Sequence, residues 1–284
     1  MLFVSGEKEE RFQKALDSGA DMVCIDLEDA VAPSAKASAR RAVLDFAARR
    51  AAAKQGGAAP RLAVRLNSLR TREGLADVLS LAESGVRLDA LLLPKLEHAE
   101  ELAMLRAWCP DSAPAWVALI ETPRGIENAA SIAAASRASA PALAALMLGG
   151  ADLSNELGAR FDWQGLLWAR GRLVNAAKSA GLQAWDVPHI DLKDLATLRE
   201  ETQAALAMGF DCKTAIHPSQ IEVIHSVFAP SLEASAWAAE LLASLATRER
   251  EGADGGAFVH AGKMIDAPVL ARARRIAQLA ERAG

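Results

Sequence analysis

Eight times along this chain a short apolar run is followed by a longer stretch, usually of helical pattern, and that alternation limits the fold more than any other feature. The apolar runs are Leu2–Val4, Met22–Leu27, Leu62–Leu66, Ala90–Leu93, Trp116–Ile120, Leu143–Leu148, Ala184–Val187 and Lys213–Ile216. Helical patterns cover Glu7–Ser18, Ser34–Lys54, Thr71–Ser84, Glu97–Trp108, Pro123–Arg137, Trp163–Ser179, Leu192–Met208 and Ser219–Val227. Strands that alternate with helices pair in parallel through right-handed crossovers. Eight such units in one series predict an α/β chain folded as a closed (β/α)8 TIM barrel. The length of 284 residues suits a fold that usually needs roughly 250. An open doubly wound sheet would carry a G-x-G-x-x-G after its first strand, and none stands there.

The punctuation agrees with this division. Thr122 can cap a helix that Pro123 begins, and Gly19, Gly181 and Gly209 each follow a helical run as left-handed caps do. Residues 1–228 are expected to form the barrel and 229–284 a helical extension, with helices over Leu232–Arg250 and Pro268–Arg282 and a flexible loop over Gly252–Gly256. A barrel does not need that extension, so it either caps its own mouth or reaches a neighbouring subunit. With 51% hydrophobic residues the chain can bury a sizeable core. A net charge of −4 offers no electrostatic basis for binding nucleic acid. No apolar stretch approaches the roughly 18 residues of a membrane span. The N-terminus turns charged too early for a signal peptide, and Cys24, Cys109 and Cys212 have no zinc-type spacing. Cys24 and Cys212 read as small core residues. A cytoplasmic location is therefore expected. The absence of tyrosine removes every mechanism with a tyrosine acid or base.

In a parallel barrel the reactive groups sit at the C-terminal ends of the strands. Those ends supply Ser5, Asp26, Glu28, Asp29, Arg65, Asn67, Lys95, Glu121, Asp152, Asp186, His189 and His217. Glu121 and Asp152 lie one β/α unit apart, so both acids should emerge on neighbouring strands. Two carboxylates with open positions suit Mg²⁺, which keeps waters and takes its other ligands from substrate oxygens. Gly149 and Gly150 let the backbone approach a ligand, and N–H groups over Gly150, Ala151 and Asp152 can hold a carboxylate. Arg65 can fork onto a substrate carboxylate or ketone, pair with Asp26 or Glu28, or do both. Lys95 shares the ring with several acids, which would keep it charged and assign it a pairing role over a Schiff base. His217, before Pro218, reads as a loop or binding residue, since no second histidine stands at metal-ligand spacing.

The motifs Phe3-Val-Ser-Gly6, Asp26-Leu-Glu-Asp-Ala-Val31, Val64-Arg-Leu-Asn67, Leu93-Pro-Lys95, Ile120-Glu-Thr-Pro-Arg-Gly125, Gly149-Gly-Ala-Asp-Leu153, Ala215-Ile-His-Pro-Ser-Gln220 and Gly262-Lys-Met-Ile-Asp-Ala-Pro268 occur in this order. Together they resemble the citrate lyase beta subunit and its malyl-CoA and citramalyl-CoA lyase relatives in the HpcH/HpaI aldolase superfamily. The resemblance spans nearly the whole chain. It implies a barrel, often trimeric, that binds Mg²⁺ through Glu121 and Asp152 and contacts a small 2-oxo acid through Arg65. It also carries over Asp266 as an acid offered by a neighbouring subunit's C-terminal segment; as a loop residue before Pro268, Asp266 also reads as a helix cap. The first loop departs from the pattern, with Ser5-Gly-Glu-Lys8 where many relatives have Pro-Gly-Asp/Asn-Arg.

The expected reaction is reversible cleavage of a 3-hydroxy-3-carboxy acyl thioester, of citryl, malyl or citramalyl type, to a 2-oxo acid such as oxaloacetate and an acetyl-type thioester. Glu28 and Asp29 could hold metal-bound waters. The thioester carrier is CoA or an acyl carrier protein, and Lys8, Arg11, Lys36, Arg40 and Arg41 could meet CoA phosphates. Alternatives are a malyl- or citramalyl-CoA thioesterase, a thioester-independent Mg²⁺-dependent aldolase, and a non-catalytic binding module.

Overall fold

The computed structural model describes residues 1–53, 60–109, 115–138, 142–250 and 256–283. Lys54 and most of the expected Gly252–Gly256 loop lie outside them. Eight strands, β1 (Leu2–Ser5), β2 (Met22–Asp26), β3 (Arg61–Arg65), β4 (Ala90–Leu93), β5 (Ala115–Ile120), β6 (Ala142–Leu148), β7 (Gln183–Asp186) and β8 (Cys212–Lys213), pair in parallel in sequence order. The circle closes where the chain after β8 meets β1: Phe3 N–H donates to Ala215 O at 2.9 Å and Ala215 N–H to Met1 O at 2.8 Å. The sheet is therefore the (β/α)8 barrel that the alternation predicts.

Strands in a barrel show successive side chains to opposite faces. One set, including Met22, Cys24, Ala63, Leu92, Val117, Leu119, Met147 and Trp185, packs together inside the barrel. The other, including Ile25, Val64, Leu91, Leu93, Ile120, Leu146 and Leu148, packs against the helices. Burial on both faces is why the strands read as nearly unbroken apolar text.

Around the barrel run α1 (Phe12–Leu16), α2 (Lys36–Ala53), α3 (Arg72–Ser84), α4 (Ala99–Trp108), α5 (Pro123–Ala134), α6 (Gly150–Leu157), α7 (Leu167–Ser179), α8 (Leu195–Met208) and α9 (Ile221–Phe228). Thr122 caps α5, its hydroxyl accepting the Gly125 N–H at 3.0 Å. Gly19, Gly181 and Gly209 adopt φ of +85°, +74° and +106°, as the cap reading requires. Three expectations need correction. The first helical run splits into a 3₁₀ turn (Glu9–Arg11) and the short α1. The eighth strand is only Cys212–Lys213 long, because its following residues turn aside to close the barrel. Finally α6 fills a stretch to which the helical patterns assign nothing, its cap and first residue both being glycines; α7 then starts at Leu167, not Trp163, after a turn in which Asp162 Oδ1 accepts the Gly165 N–H at 2.7 Å.

The chain divides into two compact units, Met1–Ile224 and His225–Gly284. The second has its own apolar core, formed by residues such as Leu241, Leu245, Phe258, Ile265 and Leu270. These come from α10 (Leu232–Arg250), α11 (Ala267–Ala283) and an antiparallel hairpin of β9 (Phe258–His260) and β10 (Lys263–Ile265) that the sequence reading did not anticipate. Among the described residues no helix is long and apolar enough to cross a membrane.

Candidate active site

The period of two that fills the barrel also delivers the polar groups to its mouth. Two residues past inward-facing Cys24, Ala63, Leu119 and Met147 come Asp26, Arg65, Glu121 and Gly149. Ser5, Asp26 and Arg65 stand in one row of the sheet register. These groups open into a cavity of about 490 Å³. Asp26, Asp29, Arg65, Glu121 and Gly149–Asp152 form a polar side, while Phe161, Pro188, Ile190 and Ile216 are among the apolar lining.

Arg65 is almost enclosed. Its Nε and one terminal nitrogen each lie 2.7 Å from the two oxygens of Asp26, and the other terminal nitrogen lies 3.1 Å from Glu28 and 3.5 Å from Asp29. Asp26 also accepts the N–H groups of Glu28 (2.8 Å) and Ala30 (3.0 Å). Burial alone would raise the Asp26 pKa, but the Arg65 hydrogen bonds and charge outweigh it and hold the carboxyl below its usual range. The two-donor edge of Arg65 is therefore taken by Asp26, and only its remaining donors are left for a substrate.

Lys95 follows β4 with φ of +54°, an uncommon backbone state for a residue with a side chain. This turn aims the Lys95 N–H at Glu121 Oε1 (2.8 Å). The ammonium lies 2.8 Å from Glu28, 2.9 Å from Asp152 and 3.6 Å from Asp29. Desolvation disfavours the charge, but Glu28 and Asp152 overcome that and raise the ammonium's pKa above its ordinary value. A Schiff-base lysine needs the opposite shift.

Glu121 is 3% exposed. Burial is the main reason its pKa rises to about 8, and the neighbouring charges of Glu28 and Asp152 push the same way against Arg65 and Lys95. Gly149 has an ordinary φ of −100°, so its glycine identity answers to space and not to backbone conformation. A Cβ there would lie 2.3 Å from both Cβ and Oε2 of Glu121. Gly150 is likewise enclosed by Phe161, Leu166 and Val187. It begins α6, and the opening turn of a helix leaves the N–H groups of Gly150, Ala151 and Asp152 without intrahelical acceptors. Asp152 sits in that turn; its Oδ2 is buried and lies 2.9 Å from the Lys95 ammonium.

A divalent cation fits these groups. No three His, Cys, Asp or Glu side chains among the described residues form a ready-made cage. Glu121 and Asp152 come instead from adjacent β/α units, one carboxyl penalised when ionised and the other held against the Lys95 ammonium. Two carboxylates with remaining positions left to water and substrate oxygens are a Mg²⁺ donor set.

Other candidates lie elsewhere. Asp186, next to inward-facing Trp185, is buried against Arg170 (2.9 Å) and Lys213 (2.8 Å) and is absent from the cavity lining. The His189 ring pairs with Glu201 at 3.1 Å. His217 Nδ1 accepts the Ser219 N–H at 3.2 Å, as a cap. Asn67 is held through its backbone and side-chain N–H groups by Asp77, both at 2.7 Å. Of the basic residues considered for CoA phosphates, Lys36 donates to the carbonyls of Leu27 and Glu28, and Arg40 is bound to Glu73 and Asp77. Asp266 belongs to the second unit, where its Oδ1 accepts the Val269 N–H at 3.2 Å and caps α11. Sequence reasoning missed Phe3, whose ring lies 5.4 Å from the Arg65 guanidinium carbon; its inward parity two residues before Ser5 was the available signal.

A closed parallel barrel with an acid pair, a fixed arginine and a glycine-opened helix start at its C-terminal mouth defines a class of barrel enzyme whose chemistry works on small oxygen-rich anions. Residues 1–218 match the HpcH/HpaI aldolase/citrate lyase family model. A (3S)-malyl-CoA thioesterase of Cereibacter sphaeroides is 36% identical over 99% of this chain and 94% of its own. The mitochondrial citramalyl-CoA lyase of Rattus norvegicus is 32% identical over 99% of this chain and 85% of its own. Among solved structures, the Mycobacterium tuberculosis protein CitE in complex with magnesium, acetoacetate and coenzyme A superposes with a TM-score of 0.78 at 34% identity, over 99% of this chain and 97% of that one. The chain belongs to the HpcH/HpaI aldolase/citrate lyase family.

Proposed function

We propose that this protein is a magnesium-dependent carbon–carbon lyase that cleaves a 3-hydroxy-3-carboxy acyl-CoA, of citryl, malyl or citramalyl type, to a 2-oxo acid such as oxaloacetate and an acetyl-type thioester. The observation that carries this reading is the joining of Glu121 and Asp152 through the two ends of Lys95, across from Arg65 in one cavity. Glu121 and Asp152 would hold Mg²⁺, which when bound lowers the pKa of a substrate hydroxyl and balances the charge on its oxygens. The N–H groups of Gly150, Ala151 and Asp152 bind and orient the substrate carboxylate. The Arg65 donors that Asp26 does not take face the substrate hydroxyl oxygen, whose negative charge after deprotonation passes to the departing enolate as the C–C bond parts. Asp26 keeps the guanidinium in place, and Glu28 and Asp29 keep the Lys95 ammonium over Asp152. Asp266, offered by a neighbouring copy, is the proposed group that takes up the hydroxyl proton and, as the acid, returns it to the leaving enolate. A homotrimer and a cytoplasmic location complete this reading. CoA is favoured over a carrier protein because the malyl-CoA and citramalyl-CoA relatives cover nearly the whole chain.

The test is a panel of acyl thioesters with Mg²⁺, following oxo-acid release, for the native protein and Glu121→Ala. The native protein should be active and silenced by chelation, and Glu121→Ala should remain folded but lose Mg²⁺ binding and turnover. Unchanged turnover in Glu121→Ala would remove the acid pair from the mechanism. The malyl-CoA thioesterase relative supports a second reading, in which water completes the reaction; free CoA appearing with intact hydroxy acid would select it. Turnover of hydroxy-oxo acids without any thioester would select a simple aldolase.

A further inference from the structure

The motif Ala215-Ile-His-Pro-Ser-Gln220 has no part in the chemistry above, yet its last residue is fully buried beside the cavity. Gln220 uses both ends of its amide. Oε1 accepts the N–H groups of Ile216 (2.9 Å) and His217 (3.3 Å), and Nε2 donates to the His189 carbonyl at 2.8 Å. Ile216 lines the cavity from the segment after β8, while Pro188 and Ile190, the neighbours of His189, line it from the segment after β7. The two segments follow the adjacent strands β7 and β8, and the Gln220 amide, which offers both an acceptor and a donor, bridges them. The outer side of the second loop is fixed as well, because the His189 ring pairs with Glu201.

The wall so joined is apolar and open. Ile190 is 61% exposed and Ile216 is 40% exposed, although both face a cavity whose other side is charged. Large apolar side chains left bare at the rim of a polar pocket are suited to an uncharged portion of a ligand. On the lyase reading, the carboxylate and oxygen-bearing carbon belong on the Arg65–Glu121–Asp152 side. The part left for the apolar wall is the acyl carbon and sulfur of the thioester.

We infer that Gln220 is a positioning residue: it staples the Pro188–Ile190 and Ile216 segments into one rigid wall that binds the acyl–sulfur end of the thioester. This inference rests on the lyase reading for its ligand, but the staple itself rests only on the hydrogen bonds. The discriminating variant is Gln220→Met, which keeps the length of the side chain but can neither accept from Ile216 and His217 nor donate to His189. With acetyl-CoA and an oxo acid in the condensation direction, the KM for acetyl-CoA should rise about tenfold as the wall loses its bridge. The KM for the oxo acid, kcat and the Mg²⁺ affinity should stay within twofold. Amide hydrogen exchange at Ile216, His217 and Ile190 should quicken in the same variant, and in Gln220→Ala. An unchanged acetyl-CoA KM overturns the inference, and so does a parallel collapse of both KM values and Mg²⁺ affinity, which would mark Gln220 as general support. If the native protein turns over no thioester, the lyase reading fails; the staple still stands or falls on the exchange rates, and unaltered exchange overturns it.

Discussion

Gly149→Ala adds a single carbon, and the structure fixes where it must go. That Cβ would lie 2.3 Å from the Cβ and from Oε2 of Glu121, far inside van der Waals contact. The backbone at Gly149 has φ of −100°, which alanine adopts freely, so no conformational penalty enters and the whole cost is steric. Glu121 Cβ is anchored to β5 and cannot swing away as the tip of a long side chain could. Relief requires β5 and the start of α6 to separate, or the Glu121 carboxyl to leave the Lys95 N–H that it accepts at 2.8 Å. Overpacking of this kind costs about 1–3 kcal/mol. For a folded unit of this size each kcal/mol lowers Tm by roughly 2–4 °C. The functional loss should exceed the stability loss, because a displacement of about 1 Å at a reacting group lowers turnover on the order of 100-fold. Thermal unfolding, Mg²⁺ calorimetry and lyase kinetics together test this. The control is Gly171→Ala within α7, where a Cβ meets no atom within 4 Å; it should stabilise by up to about 1 kcal/mol. If Gly149→Ala keeps its Tm, Mg²⁺ affinity and kcat within twofold, then close approach does not explain the glycine, and the Glu121 position is not what activity requires.

The buried Glu121 carboxyl also gives the metal-free protein a pH signature. Its pKa rises from 4.5 to about 8 on folding, so the native state binds the proton more tightly than the unfolded chain. That contribution to stability is complete below about pH 4.5 and is lost as pH climbs through 8. Urea unfolding with a chelator should therefore show stability falling between about pH 5 and 8, with the slope flattened in Glu121→Gln; an equal slope in that variant assigns it to other groups. Lys213→Met should act in the opposite sense, on stability and not on the site. It strips the buried Lys213 partner from Asp186, which keeps Arg170, and should cost about 3 kcal/mol in urea unfolding while Mg²⁺ affinity stays within twofold. A large drop in Mg²⁺ affinity would show that this ion cluster reaches the cavity.

What the amino-acid text revealed, and what it hid, follows from the range of each interaction. The strands were legible because a parallel barrel buries both faces, so runs such as Ala90-Leu-Leu-Leu93 have no polar interruption. Asp26, Arg65 and Glu121 were legible because polar residues just beyond such runs must emerge at the barrel's mouth. Asp186 ends its strand in the same way, yet it faces the helices. Strand ends alone cannot separate Asp26 from Asp186; parity can, because Asp26 is two residues from inward Cys24 whereas Asp186 is one residue from inward Trp185. Parity needs only one inward residue per strand, and a bulky residue such as Trp185 is a usable marker. The roles of Gly149, Lys95 and Gln220 obey no such rule. Each depends on an approach between segments distant in sequence: α6 against Glu121, the β4 turn against the same acid, and one loop amide between two backbones. A glycine kept for space looks the same in text as one kept for a positive φ, and a lysine whose N–H matters as much as its ammonium looks like any charged residue. The acids of such a site can thus be read from sequence, whereas the parts that hold them at their working separation become visible only in the folded chain.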